Sequence, residues 1–254
     1  MFSINVWYIQ YCRSEYFAEM LLGPMSVTGM GTIPLNCSPS SFAFISDYVW
    51  KGRVKFSKYS IETLLPAMEK CREYLIAGGK LTKATEAYLV DHLFNTDYID
   101  VGSSRLLATL QFSLENPFED LSNAACGVIL SNIVSISESK DFANLTYQAL
   151  ITILRSRSKS CVREIDVAKA LEKWTNSQTK LEESHKKSLV DLIDLKKISN
   201  KDLLGQLKKM KLFDFEEIYN IVEESEKQPS KNRMVDALLY ILVNHSSEHV
   251  QVSH

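Results

Sequence analysis

The chain predicts a mostly α fold with one small mixed α/β portion near its N-terminal end. Three observations carry that expectation. Apolar residues recur three and four positions apart along most of the 254 residues, which is the spacing of one helix face. Breakers are scarce, with 9 glycines and 6 prolines, so helices run with few interruptions. The clearest strand-like run before the helical remainder is Thr32–Leu35, with a short extended piece at Arg53–Phe56.

The elements follow in order. Residues 5–22 show helical spacing, with Tyr16, Phe17, Met20 and Leu21 able to share a face, and Gly23-Pro24 ends the run. Ser26–Gly31 is a loop. After the strand, Ser38 is placed to cap a helix with Pro39 at its first position. Phe42, Ile45, Val49 and Trp50 form that helix's apolar stripe, and Gly52 suits a left-handed cap at its end. Ser60 opens the next helix, which runs to about Ile76 with Glu62 in its positive first turn. Gly78-Gly79 breaks the chain and marks a boundary near residue 78.

Beyond it the spacing predicts helices at 82–95, 103–113, 117–131, 139–156, 162–175, 184–195, 199–209, 214–225 and 230–244. Thr82, Ser103, Asn116-Pro117, Ser199 and Asp214 serve as start signals. Residues 225–232 are polar and read as a linker, and the last ten residues as a frayed tail. No repeat at 20–50 residues is visible, so propeller or solenoid arrays lack support.

Composition narrows the function classes. The chain is 45% hydrophobic and 24% charged with a formal net charge of -2, so no single-sign field attracts nucleic acid or anionic lipid. Cys12, Cys37, Cys71, Cys126 and Cys161 are odd in number and without zinc spacing, which reads as free thiols in a reducing compartment. No apolar run reaches membrane-spanning length, and the start lacks the parts of a signal peptide. The expected place is the cytoplasm or nucleus, where the sequon Asn144-Leu145-Thr146 is chance.

The chemistry-bearing residues do not form a site in sequence. His92 has no local nucleophile or acid. Glu182-Glu183 and Glu223-Glu224 are neighbours, which do not face each other on a helix. Asp91, Asp97 and Asp100 lack a calcium loop's glycine and closing glutamate. Gly29-Met30-Gly31 and Gly78-Gly79-Lys80 are not phosphate cradles. Lys186-Lys187 and Lys208-Lys209-Met210-Lys211 are flanked by acids and read as solvated flanks. No catalytic residue, cofactor or metal is expected. The helix with Tyr48 and Trp50 is apolar on more than one side, so these rings either pack internally or anchor a partner.

Taken in order, these segments resemble a BTB (POZ) domain followed by a BACK domain. Arg13–Leu21 is similar to the "RSxYFxxMF" helix of BTB. Ile33–Leu35, Ser38-Pro39, Phe42, Asp47-Tyr48-Val49, Gly52-Arg53-Val54 and Leu64-Leu65 resemble the stretch after it. Cys71–Leu75 resembles the "CxxFL" leading into BACK, and Asn116–Leu130 its first helix pair. Val162-Arg163-Glu164 through Ala170 and Trp174 is similar to "VxsExxvfxAxxxW". Ile133–Glu138 competes for that last match. Leu189, Leu192, Ile198-Ser199 and Asp202-Leu203-Leu204 are like the helices beyond it.

The resemblance implies a partial, N-terminally truncated BTB domain (α+β) at 1–78 and an all-helical BACK-like domain at 79–224 with an insertion near 133–160. A linker, short helix and tail would occupy 225–254. No kelch, MATH or zinc-finger part is visible. It implies a protein-interaction adaptor, like those that bring substrates to cullin-RING ubiquitin ligases, with Phe17, Met20, Met25 and Tyr48 as the cullin-side candidates by position. It also implies a homodimer, weakened by the short N-terminus. One departure bears on the cullin: the family's apolar-x-Glu motif reads Met25-Ser26-Val27 here, without the glutamate. The alternative is a scaffold, a co-regulator or a competing truncated isoform without ligase work.

Overall fold

The computed structural model describes residues 13–22, 36–95, 102–157, 162–210 and 212–227. Of these, 77% are helical, and no sheet occurs among them. The mostly α expectation holds. The predicted strand Thr32–Leu35 and the predicted helix 230–244 lie outside the described residues.

By internal contacts the chain divides into two compact units. The first takes residues up to Val162 together with Lys173–Lys180, and the second takes Arg163–Glu172 and Leu181 onward.

In the first unit, α1 (Glu15–Leu22), α2 (Pro39–Lys51), α3 (Ile61–Glu73) and α4 (Lys80–Asn95) come first. Ser38 caps α2 as predicted: its hydroxyl accepts the Ser41 N–H at 3.1 Å, with Pro39 at the first helical position. Gly52 closes α2 at φ 67, its N–H donating to Tyr48 O at 2.7 Å. Arg53–Lys55 carries no regular element and Lys55 is extended, but Phe56–Lys58, part of the expected extended piece, tightens into a 3₁₀ turn. Ser60 takes the cap position of α3, yet its side chain makes no capping hydrogen bond to the backbone. Its hydroxyl instead serves the Glu62 carboxyl, which is held below the usual carboxylate range first by its own backbone N–H, then by Ser60 and Arg105.

Then follow α5 (Ser103–Glu115) and α6 (Glu119–Ser131). Here the start signals are shifted. Helix α4 begins two residues before Thr82, which is buried inside it, and Gly102 and Phe118 hold the cap positions of α5 and α6. Glu62 and Arg105 pair at the starts of α3 and α5. At the other end, Arg72 donates to Asn116 O and Oδ1, both at 3.1 Å. The two helices therefore run parallel, tied at both ends. Because Glu62, Arg105 and Arg72 are exposed, the ties fix alignment more than they stabilise.

The predicted single helix 139–156 is interrupted. Short helices α7 (Ile133–Ile136) and α8 (Lys140–Ala143) precede α9 (Tyr147–Ser156). Thr146 accepts the Ala149 N–H at 3.2 Å and so starts a new helix. A threonine three residues before a run of Ala, Leu and Ile competes with helix continuation by capping instead.

Helix α6 is the hub of this unit and packs against α4, α5 and α9. Leu121, Ala124, Ala125, Cys126, Ile129 and Leu130 are all buried. The small side chains at 124–127 let three neighbours approach closely. Ala149, Leu150, Ile153 and Leu154 of α9 are buried as well, so residues 147–156 belong to the core.

Helix α10 (Glu164–Ser177) contributes its first residues to the second unit and its last turn to the first. The second unit continues with α11 (Glu183–Val190), α12 (Asn200–Gly205) and α13 (Phe215–Lys227). Ser199 caps α12, accepting the Asp202 N–H at 3.2 Å, and Asp214 accepts the Glu216 N–H at 3.0 Å. Two 3₁₀ turns share one pattern: Leu195 and Ile198, then Leu207 and Met210, are buried around exposed lysine pairs.

Candidate protein-interaction site

Three segments of the first unit meet at one junction: residues 13–17, 48–52 and 74–77. Ser14 is buried and does two jobs there. Its hydroxyl donates to Tyr74 O at 2.5 Å and accepts the Phe17 N–H at 3.2 Å, capping α1 and fastening it to the end of α3. Ala77 N–H donates to Arg13 O, and Ser14 pairs with Ile76 in an isolated antiparallel bridge. The Arg13 guanidinium lies where a Cβ on residue 52 would stand, so a larger residue would have to push that side chain aside, and φ 67 there favours glycine. It also sits 5.8 Å from the centre of the Tyr48 ring.

The backbone beside this junction is strained. Leu75 (φ 47) and Ala77 (φ 53) are left-handed without being glycine, at a cost of about 1–2 kcal/mol each. The Ser14 and Arg13 hydrogen bonds hold them so. The resulting turn leaves Leu75 at 44% exposure between buried Tyr74 and Ile76.

Aromatic rings fill the inner side. Phe17, 1% exposed, lies 5.2 Å from Tyr74 and 5.5 Å from Tyr16, centre to centre. On the outer side, Tyr16 (40%), Trp50 (60%) and Leu75 reach solvent, one from each segment. A second stack runs from Phe44 through Phe56 to Tyr88 and His92. It joins α2 and the 3₁₀ turn to α4.

The polar groups nearby hold structure. Asp47 accepts from Lys51 at 2.5 Å and from the Tyr59 hydroxyl at 2.7 Å. These bonds keep its carboxyl below the ordinary range. Burial, and then Asp47, push the Tyr59 phenol up to about 12. Burial likewise raises the Cys71 thiol to about 12 and lifts Cys37 and Cys126, which keeps these thiols protonated and weakly nucleophilic. Among the described residues no group of three or more His, Cys, Asp or Glu could hold a metal ion, and no helix is long and apolar enough to cross a membrane.

Of the four contacts expected from sequence, Phe17 is inside the junction and Tyr48 is half-buried under Arg13. Met20 lies on α1 with its side chain outside the description, and Met25 lies outside the described residues. Sequence reading passed over Tyr16 and Leu75. Tyr16 stands next to Phe17, and only the orientation of α1 decides which ring turns outward. Leu75 is exposed by its backbone conformation, which composition does not signal.

The helical remainder has the opposite character. Trp174 is 2% exposed and its indole N–H donates to Leu145 O at 3.0 Å. Ala168, Ala170 and Leu171 are buried along the same helix, and Glu164, also buried, accepts the Asp194 N–H at 3.3 Å. The family model described as "BACK: BTB And C-terminal Kelch" matches residues 106–208. The chain carries a BACK domain. Its α5–α6 pair, α9, Trp174 and the capped helix at Ser199 are therefore the framework of BACK. The competing match at Ile133–Glu138 forms only the one-turn α7 and its exit, whereas Val162–Trp174 forms a full helix.

The chain is similar to kelch-like protein 28 of mouse and of human, at 26% identity over 191 residues in both. The matched stretch covers 75% of this chain and 31% of each relative. The chain thus spans about a third of the length of the curated relatives it matches.

Proposed function

We propose that this chain is a protein-interaction adaptor of the BTB–BACK kind, in which residues 1–78 are BTB-derived and 79–224 form the BACK region. It works in the cytoplasm or nucleus and does no chemistry itself. The single observation that carries this reading is the BACK match at 106–208, directly behind a junction that presents Tyr16, Trp50 and Leu75 to solvent. Large aromatic and aliphatic side chains on a braced backbone are what interface anchors require.

In the finer form of the proposal, the junction faces a cullin and the chain recruits a substrate to a ubiquitin ligase. Met20, Met25 and Tyr48 serve as contacts, while Phe17 sets the pose of α1 from beneath. Pull-down of the purified cullin with the full chain tests it. Retention at micromolar concentration, weakened by Tyr48→Ala, is the expected result. No retention by folded protein would remove the ligase role.

A second reading has its own support. Val27 stands where an apolar-x-Glu motif would place its glutamate. This favours a scaffold or co-regulator that associates through the same junction without engaging a cullin. Light scattering on the full chain reads self-association directly: a dimer supports the scaffold, and a strict monomer counts against it.

A further inference from the structure

Helix α13 buries one stripe and presents another. Ile218 (0% exposed) and Val222 (6%) are buried, whereas Phe215 (48%) and Tyr219 (55%), one turn apart, reach solvent with ring centres 6.4 Å apart. The two rings stand in a strongly acidic setting. From Asp214 to Glu224 the sequence holds Asp214, Glu216, Glu217, Glu223 and Glu224 and no basic residue, and all of these acids are exposed. Glu216 lies three positions before Tyr219 and Glu223 four positions after it. On a helix both spacings make neighbours, with about 5–6 Å between Cβ atoms.

The chain answers part of this field itself. Lys208 stands 4.8 Å from the Phe215 ring centre, and Lys196 lies 3.8 Å from Glu224. Lys208 illustrates the group such a ring accepts, a cation held against its face. Among the described residues no cation stands over Tyr219 or pairs with the Glu216 carboxylate. Tyr219 and Glu216 thus repeat the same invitation one turn further along the helix.

The occupant that fits is a cation with a flat apolar face. An arginine guanidinium stacks on an aromatic ring and forks onto a carboxylate, which a lysine ammonium cannot do in the same way. An aliphatic residue beside that arginine covers the exposed part of Phe215. The sign of the field excludes nucleic acid and anionic lipid, which it repels.

We propose that the Phe215–Tyr219 face of α13 docks an arginine-bearing, aliphatic peptide segment of a partner protein, with the guanidinium on Tyr219 and paired with Glu216. The inference goes beyond the adaptor role proposed above and stands whether or not a cullin binds.

The test is a display selection of random dodecamer peptides on the full chain, counter-selected on the full chain carrying Tyr219→Ser and Glu216→Lys. Both substituted side chains are exposed, and unchanged amide exchange over 119–131 checks that the variant is folded. Surviving peptides should be enriched in arginine next to Leu, Ile or Val. Synthesised with a fluorescein label, they should bind the full chain saturably by anisotropy and slow amide exchange over 214–224. Tyr219→Leu and Glu216→Gln should each weaken that binding about two- to fivefold, and lysine in place of arginine in the peptide should weaken it as well. No enrichment of arginine, equal binding by the variants, or protection elsewhere than 214–224 would overturn the proposal. So would light scattering in which Phe215→Ser with Tyr219→Ser turns a dimer into a monomer, since a second copy would then be the occupant.

Discussion

The junction around Ser14 and the hub around α6 belong to the same compact unit and are built in opposite ways. The hub is aliphatic and layered: Leu121, Ala125, Cys126 and Ile129 vanish between neighbouring helices, and Trp174 and α9 are buried in the same unit. The junction depends on a few directional contacts, namely one serine hydroxyl, one guanidinium against a glycine, and two left-handed residues. A layered core spreads its stability over many contacts. A braced junction concentrates it, and leaves large apolar side chains outside. The hub is framework, whereas the junction keeps Tyr16, Trp50 and Leu75 at the surface.

The hub should suffer most from a single change. Trp174→Ala removes a buried indole and strands the Leu145 carbonyl, so it should cost about 3–5 kcal/mol in urea unfolding. A loss under 1 kcal/mol would mean that the hub is not the framework. In the junction, Gly52→Ala should cost about 1–3 kcal/mol, because it strains φ 67 and drives a methyl into Arg13. Amide exchange should then rise in 13–19 and stay unchanged in α6. Ser14→Ala should cost about 1–2 kcal/mol, with the same local pattern.

Periodicity made the hub legible in the sequence. Helices 103–115, 119–131 and 164–177 fall within a few residues of where apolar spacing puts them, because burial on one face writes that spacing. Caps were legible where a Ser or Asp precedes a helix, as at Ser38, Ser199 and Asp214. They were misread at Ser60, whose hydroxyl turns to Glu62 instead. The break at Asn144–Thr146 was missed because a capping threonine looks like any helix-interior polar residue. In the junction, the Gly52 cap was readable from one glycine after an apolar stripe. The left-handed Leu75 and Ala77 were not, since contacts from Arg13 and Ser14, sixty residues away, impose them.

The smallest expected effect is on pH dependence, and it sharpens the comparison. Tyr59 titrates near 12 in the folded chain against about 10 when unfolded. The unfolded chain therefore loses this proton first, and stability should fall as pH rises from about 10 to about 12. Asp47 is shifted down, so its contribution is present above the ordinary carboxylate range and fades as pH falls below it. Tyr59→Phe should flatten the alkaline slope and leave the hub's exchange unaltered.

The claim that the junction, and not the hub, meets the partner has a direct test. Amide exchange of the full chain is followed by mass spectrometry with and without the purified cullin. The account predicts slowed exchange at 13–19, 48–52 and 74–77, with 119–131 unchanged. Binding with protection confined to the hub or to the second unit, and none at the junction, would contradict it.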